Sequence, residues 1–186
     1  MLTVVVSGRD SLALDSNAFE LARDVREPWL DRFFRAVTTL GLIWIVGAAV
    51  LVAAALLFKR GFRRRAVALL AGAALAWAIV WIVKAIVDRP RPPAALVHTT
   101  GQSYPSAHAA NSVGWLALAI ALGPAISGRG VRVATIVAGA TLTVLVGLSR
   151  IYLRAHYASD VLAGEALAVA VYAVVAIGVQ MRGRDG

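Results

Sequence analysis

The sequence predicts an all-α integral membrane protein, a bundle of about five transmembrane helices preceded by an amphipathic helix at the membrane interface. Of its 186 residues, 60% are hydrophobic, and the mean hydropathy is +0.75, which exceeds the apolar content of ordinary soluble domains. Apolar runs recur at lengths close to those that cross a bilayer as helices. Polar and cationic residues are concentrated between these runs, as expected for loops at a membrane surface.

Residues 1–39 form the first predicted unit, an amphipathic segment lying at the interface. Within residues 17–37, apolar side chains such as Phe19, Trp29 and Phe33 are interspersed with arginines and acidic residues, a pattern typical of interfacial helices. We expect Pro28 to break or restart the helix, because proline removes a backbone donor. Residues 40–186 are predicted to form one transmembrane domain.

Five apolar segments follow the N-terminal unit, and each approaches or exceeds the roughly 17–25 residues that cross a bilayer core. We place them at residues 40–58, 66–83, 109–126, 133–148 and 161–181. The fourth segment is short and contains Thr135, Thr141 and Thr143. These threonines can bond to their own helix or face a neighbouring one.

The charges are sorted by position along the chain. Residues 59–65 read KRGFRRR, and further arginines occupy residues 127–132 and the tail after Met181. The positive-inside rule predicts that these segments are cytoplasmic. Residues 84–108 and 149–160 then lie together on the extracytoplasmic side of a multi-pass protein in the cytoplasmic membrane. Because topology accounts for most of the net charge of +9, we expect the bilayer, and not nucleic acid, as partner.

The first polar segment, residues 84–92, combines Lys84, Arg89 and Arg91 with two prolines. It is predicted to bind an anion, because Arg91 can form a bidentate fork to phosphate while Lys84 supplies a compact charge. The alternative is that Lys84 and Arg89 are anchors whose stems follow the apolar surface at a helix end.

The second polar segment contains Pro105, Ser106, Ala107 and His108 immediately before an apolar run. Ser106 is a natural N-cap, and the free amides of a helix N-terminus are suited to bind phosphate. Taken alone, the segment is more typical of a simple helix cap with a structural histidine.

The third polar segment contains Arg150, His156 and Asp160. If the last helix begins near His156, the spacing of four residues lets Asp160 accept a hydrogen bond from one imidazole nitrogen and leave the other unprotonated. Such a histidine can act as a nucleophile or a base. The alternative is a His–Asp pair that caps the helix.

The spacings Lys-x6-Arg-Pro, Pro-Ser-x-His and Ser-Arg-x5-His-x3-Asp together resemble the three-part signature of the type 2 phosphatidic acid phosphatase superfamily, the lipid phosphate phosphatases. The resemblance implies that His156 attacks phosphorus to form a phosphohistidine, that Asp160 orients it, and that His108 protonates the leaving oxygen. It also implies phosphate-binding roles, which fall to Lys84, Arg91, Ser106, Arg150 and the amide of Ala107.

Two features depart from the family pattern. Ala107 stands where the family usually has glycine, and alanine loses access to positive φ. If residue 107 lies in the first helical turn, as we favour, this change is harmless. In addition, a first spanning helix found in many bacterial relatives is missing here or replaced by the interfacial segment.

We therefore predict a metal-independent phosphatase or diphosphatase without a cofactor, acting on a membrane lipid phosphate. Fixed cations can neutralise the phosphoryl oxygens, and the polar segments contain no carboxylate cluster suited to Mg²⁺. A polyprenyl diphosphate such as undecaprenyl diphosphate is the first choice, because small bacterial relatives commonly have that activity. Phosphatidylglycerol phosphate, phosphatidate and a polyprenyl-linked sugar phosphate are the alternatives.

Two functions of other classes stay open at this point. The first is a non-catalytic lipid-phosphate binder or translocase, although binding alone requires no oriented His156–Asp160 pair. The second is a vanadate-dependent oxidase, because the superfamily shares its anion pocket with vanadium haloperoxidases. The sequence leaves the oligomeric state open.

Overall fold

The structure, a computed structural model, describes residues 12–181, and all of its regular elements are helical. The helices are α1 (Ala13–Asp24), α2 (Pro28–Thr39), α3 (Ile43–Lys59), α4 (Arg63–Val87), α5 (Ala107–Leu122), α6 (Arg129–Tyr152) and α7 (Ala158–Met181). A 3-10 turn, Gly123–Ala125, follows α5. The predicted all-α class is confirmed.

All five predicted apolar helices form, although their lengths differ. Helices α4, α6 and α7, with 25, 24 and 24 residues, are long and apolar enough to cross a membrane. Helices α3 and α5 are shorter, at 17 and 16 residues. The pair α2 and α3 is bent by 49° and passes the same test when taken as one span. Within residues 12–181, three or four helices thus qualify as candidate spans, against about five predicted.

Several helix ends differ from their predicted positions. Helices α4 and α6 begin earlier than predicted, at Arg63 and Arg129, because arginine is a good helix former whose charged end can reach the membrane surface. Helix α5 ends at Leu122, four residues early, because the following Gly123 and Pro124 form the 3-10 turn. Helix propensity and proline, and not hydropathy alone, set these boundaries.

The described part of the N-terminal segment consists of two helices. Pro28 occupies the first turn of α2, so it restarts the helix as predicted. Residues 1–11 of the predicted interfacial segment lie outside the described residues. Both helices contact α6, and α1 also contacts α7. A Cβ on Gly41, in the turn after α2, would lie 2.7 Å from Val146 and 3.0 Å from the carbonyl oxygen of His108.

Small side chains line the contacts between the helices. One buried cluster joins α3, α4 and α5 and contains Val46, Val50, Ala53, Ala54, Leu57, Ala66, Leu69 and Ala121. A second joins α4, α5 and α7 through Ala76, Val80, Ala110, Val113 and Ala168. Across the α5–α6 contact, the hydroxyl of Thr143 donates to the carbonyl of Ser112 over 2.9 Å. Small residues and such hydrogen bonds allow helices to pack closely inside a bilayer, where the hydrophobic effect does not drive them together.

The alternating chain direction brings four helix ends together. The C-terminal ends of α4 and α6 lie beside the N-terminal ends of α5 and α7, as shown by hydrogen bonds from Arg89 to Ser159 and from the amide of Ser106 to the carbonyl of Asp160. We call this end of the bundle the site end. The irregular segment 88–106 covers it.

Candidate active site

The three polar segments predicted to form one site meet at the site end. Lys84 comes from the end of α4, Arg91 from the segment that follows, and Arg150 from the end of α6. Their companions are Ser106, Ala107 and His108 at the start of α5, and His156 and Asp160 around the start of α7. Among these polar side chains, Lys84, Ser106, Arg150, His156 and Asp160 are each 5% exposed or less. Such burial of polar groups requires specific partners.

The geometry around His156 defines which ring nitrogen is free of a proton. Nη1 of Arg91 lies 3.1 Å from Nε2 of His156. A guanidinium can only donate, so Nε2 accepts this hydrogen bond and carries a lone pair. Nδ1 then carries the proton and faces Oδ2 of Asp160 at 3.5 Å and Oγ of Ser103 at 3.4 Å. His156 is therefore oriented as a nucleophile requires.

Asp160 is held on both carboxylate oxygens. Oδ1 accepts a hydrogen bond from Nη1 of Arg89 over 2.6 Å. Oδ2 accepts one from the hydroxyl of Ser103 and one from the backbone amide of Tyr157, the latter over 3.0 Å. Helix α7 begins at Ala158, two residues after His156, so the His156–Asp160 contact joins a loop residue to the first helical turn.

Burial keeps His156 neutral. Desolvation, together with the charges of Arg150 and Arg91, lowers the pKa of His156 to about 4, while Asp160 acts in the opposite direction. At neutral pH the imidazole is therefore uncharged, and the lone pair on Nε2 accepts the hydrogen bond from Arg91.

Arg91 and Lys84 are bound to carbonyls of the segment that covers the site. The Nε and Nη2 atoms of Arg91 donate to the carbonyl of Thr100, and Nε also donates to Gly101 over 2.9 Å. Nζ of Lys84 donates to the carbonyl of Gln102 over 2.7 Å. Lys84 is 4% exposed, so the alternative of a lysine reaching along the surface to solvent does not describe it.

Arg150 is a buried cation with unused hydrogen-bonding capacity. Its Nη1 atom donates to Oγ1 of Thr38 over 2.7 Å. Its Nε atom is buried and has no hydrogen-bond partner among the described residues. A buried guanidinium with a spare donor is suited to an anionic oxygen.

The start of α5 has the geometry predicted from Ser106. This residue is the N-cap, and its Oγ accepts a hydrogen bond from the amide of Ala109 over 3.4 Å. Ala107 is the first residue of α5 and is not among the described residues with positive φ, so alanine fits where glycine was expected. A Cβ added to Gly164 would lie 2.5 Å from the carbonyl oxygen of Ser106, so glycine is what allows α7 to approach this turn.

His108 lies in the same cluster, one residue into α5. The charges of Arg150, Arg91 and Lys84, together with His156, act electrostatically on its ring. The structure therefore places the second histidine of the motif within range of the first and of all three predicted phosphate-binding cations.

Four residues at the site end were not predicted from the sequence. Arg89 is 5% exposed and bridges Asp160 to Asp15 of α1, while Ser103 and Thr38 bond to Asp160 and Arg150. Arg89 belonged to the segment predicted to bind an anion, with a membrane anchor as the alternative, and its bridge between two aspartates was not predicted. The available signal was its position in the run Asp-Arg-Pro-Arg-Pro, where a second arginine lies two residues before Arg91.

Comparisons with known proteins agree with this arrangement. A profile of the PAP2 superfamily matches residues 65–184, which is more than half of the chain. The chain belongs to the PAP2 superfamily. The phosphatidylglycerophosphatase B of Bacillus subtilis (strain 168) is 29% identical over 162 residues, which cover 81% of this chain and 76% of that protein.

Two solved structures share the fold of this PAP2 protein. The first is a transmembrane PAP2-type phosphatidylglycerolphosphate phosphatase from Bacillus subtilis, with a TM-score of 0.81 and 24% identity, covering 97% of this chain and 93% of that one. The second is Aquifex aeolicus LpxE, with a TM-score of 0.71 and 23% identity, covering 90% of this chain and 97% of that one. The family match and the candidate membrane spans together identify the protein as a multi-pass membrane lipid phosphatase that hydrolyses phosphoric esters.

Proposed function

We propose that this PAP2 protein hydrolyses the terminal phosphate of phosphatidylglycerol phosphate through a phosphohistidine on His156. One observation supports the mechanism above all others. Nε2 of His156 carries a lone pair toward a cluster of cations, while its Nδ1–H faces the carboxylate of Asp160. A phosphate binder without chemistry needs the cations but has no use for a histidine held in one tautomer.

The proposed reaction has two steps. In the first, the lone pair on Nε2 of His156 attacks phosphorus, the bond from phosphorus to the glycerol oxygen breaks, and that oxygen takes a proton from His108. In the second, His108 takes a proton from water as the water oxygen attacks the phosphohistidine, which releases inorganic phosphate and restores His156. Asp160 balances the positive charge that develops on the imidazole in both transition states.

Fixed cations supply the electrostatic stabilisation in this proposal. Lys84, Arg91 and Arg150 all act electrostatically on His108, and the amides of residues Ala107 to Ala109 lie at the start of α5. Phosphoryl transfer depends mainly on positioning and on neutralising the equatorial oxygens. These groups can meet that need with their own charge, so we propose a reaction that requires neither metal nor cofactor.

The comparisons favour phosphatidylglycerol phosphate over undecaprenyl diphosphate, which was the first choice from the sequence. Both a relative and a structural neighbour are named as phosphatases of that lipid. The chemistry is compatible, because the glycerol oxygen of a phosphate monoester is a poor leaving group that requires a general acid such as His108. In a lipid diphosphate the leaving group is the lipid monophosphate, which departs more readily than an alkoxide and depends less on a general acid.

A panel of lipid phosphates tests the substrate assignment. The purified protein in detergent is assayed for released inorganic phosphate with phosphatidylglycerol phosphate, undecaprenyl diphosphate, phosphatidate and a polyprenyl-linked sugar phosphate. We expect the highest kcat/KM for phosphatidylglycerol phosphate. A higher kcat/KM for undecaprenyl diphosphate would overturn the substrate assignment while leaving the mechanism intact.

We further propose that the site faces the outside of the cytoplasmic membrane, as the positive-inside rule predicts. The chain has no cysteine, so single cysteines report on topology without background. In intact cells, a membrane-impermeant maleimide should label Pro93→Cys in the exposed segment at the site end. It should label Arg60→Cys at the opposite end only after permeabilisation, and the reverse pattern would contradict this orientation.

A further inference from the structure

A buried carboxylate in the N-terminal segment lies close to the catalytic pair. Asp15 of α1 is 0% exposed, although α1 was expected only to lie at the membrane interface. Two other aspartates of the N-terminal segment are less buried: the side chain of Asp24 on α1 is 65% exposed, and that of Asp31 on α2 is 25% exposed. Burying a charged aspartate is energetically costly unless ion pairs and hydrogen bonds compensate for the lost hydration.

The partners of Asp15 connect it to Asp160 through one guanidinium. Nη2 of Arg89 lies 2.9 Å from Oδ2 of Asp15, and Nη1 of Arg89 lies 2.6 Å from Oδ1 of Asp160. Ser159 closes the contact, since its amide and hydroxyl each donate to Asp15 over 2.9 Å. Its hydroxyl oxygen also accepts from Arg89 over 2.8 Å.

The arrangement is unlike an ion pair kept for stability alone. Burying three charges costs desolvation energy that their mutual attraction does not reliably recover. Its geometry instead fixes two properties of Asp160, namely the position of its carboxylate and the net charge beside it. The guanidinium of Arg89 also lies on the ring of Tyr157, 4.0 Å from its centroid, so the bridge cannot shift without moving the residue next to His156.

We propose that Asp15 is a positioning residue for catalysis, which acts on His156 through Arg89 and Asp160. The proposal rests on the assignment of His156 as the nucleophile. As His156 bonds to phosphorus its ring becomes positive, and Asp160 stabilises this charge. Without Asp15, the positive charge of Arg89 would neutralise Asp160 and weaken this stabilisation. The negative charge of Asp15 offsets that of Arg89. The N-terminal segment therefore completes the active site.

The substitution Asp15→Asn tests this role, because it removes the charge and keeps the size of the side chain. The matched control is Asp24→Asn, the same change on an exposed carboxylate of the same helix. For Asp15→Asn we expect the single-turnover rate of phosphohistidine formation and kcat to fall about tenfold, an effect of about 1.4 kcal/mol on the barrier. KM should stay within about twofold, and Asp24→Asn should match the wild type in all three measurements.

A second variant covers the case in which Asp15→Asn does not fold in detergent. Arg89→Lys keeps the positive charge but has no planar fork to hold two carboxylates. We expect it to bind substrate with an unchanged KM and to form phosphohistidine about tenfold more slowly.

Different outcomes separate the inference from the proposed function. A wild-type rate of phosphohistidine formation in folded Asp15→Asn or Arg89→Lys would overturn the role of Asp15. So would a rise in KM with an unchanged kcat, because that result indicates altered binding only. If His156→Ala retains phosphate release in the same assay, the proposed mechanism is wrong, and the inference about Asp15 that rests on it is wrong as well. If His156→Ala is inactive and Asp15→Asn is fully active, only the inference about Asp15 fails.

Discussion

Arg91 donates a hydrogen bond to Nε2 of His156 over 3.1 Å, so the proposed nucleophilic atom has a cationic partner before any substrate binds. The same guanidinium is held by the carbonyls of Thr100 and Gly101. In the proposed mechanism, the hydrogen bond from Arg91 to His156 must break before His156 attacks phosphorus, and the freed guanidinium can then bind a phosphoryl oxygen. Binding of the substrate phosphate to Arg91 would then also free Nε2 of His156 from its hydrogen bond.

His156→Ala should abolish turnover while the protein stays folded, because the proposed covalent intermediate forms on this imidazole ring. Phosphate release by the purified variant measures this, with thermal unfolding in detergent as the check on folding. His98→Ala is the matched control, since His98 is exposed and lies outside the cluster. Wild-type phosphate release from His156→Ala would contradict the nucleophile assignment.

His108→Ala should reduce the rate on lipid phosphates by about 100-fold or more, as expected for a lost general acid. The loss should be much smaller on p-nitrophenyl phosphate, whose leaving group departs without a proton. The comparison requires kcat/KM for both ester types in the same preparation. Equal losses on the two types would argue against His108 as the acid.

Activity should persist in excess EDTA and should be inhibited by vanadate. The reason is that Lys84, Arg91 and Arg150 supply fixed positive charge, and vanadate adopts a five-coordinate form that resembles the phosphoryl transition state. Arg150→Met should weaken vanadate inhibition and catalysis together, which inhibition curves and kcat/KM can show. Loss of activity in EDTA that Mg²⁺ restores would refute the metal-free proposal.

Gly164→Ala should destabilise the protein by about 1–3 kcal/mol and lower its activity, because the new methyl group overpacks the backbone of Ser106. Gly178→Ala is the control in the same helix, since nothing lies within 4 Å of a Cβ at that position. Thermal unfolding and phosphate release compare the two variants. The prediction is wrong if both variants unfold at the same temperature.

His156 should stay neutral well below the usual range of histidine. Burial lowers its pKa to about 4, so the neutral, nucleophilic ring should persist as the pH falls from 7 to about 5 and should be lost as the pH falls through about 4. Nuclear magnetic resonance of ¹³C-labelled histidine, assigned with the His156→Ala spectrum, measures the midpoint. A midpoint near 6.5 would show that the ring is more solvated than the structure indicates.

Much of the fold could be predicted because hydropathy and charge carry most of the information in a membrane protein. The five apolar helices and the restart at Pro28 follow from local chemistry. The site could be predicted because the three polar segments resemble one known signature, and topology requires them to meet at one end. Lys84, Arg91, Arg150, His108, His156 and Asp160 are all found there.

The missed contacts depend on tertiary structure that no local pattern reveals. Asp15 sits among other charged residues of α1, and nothing in its spacing distinguishes it from the exposed Asp24. Its burial results from how α1 packs against α7. Ser103 and Thr38 are likewise ordinary polar residues until the chain brings them to Asp160 and Arg150.

The buried Nε of Arg150 has a practical consequence for anyone who engineers this protein. An unsatisfied buried donor costs about 1–3 kcal/mol, and replacing the side chain with an apolar one of similar length removes that cost. Selection for heat resistance alone should therefore enrich substitutions at Arg150, and these variants should be stable but inactive because Arg150 is proposed to bind the phosphoryl oxygens. At this position a library must be screened for turnover, because resistance to unfolding and usefulness as an enzyme move in opposite directions.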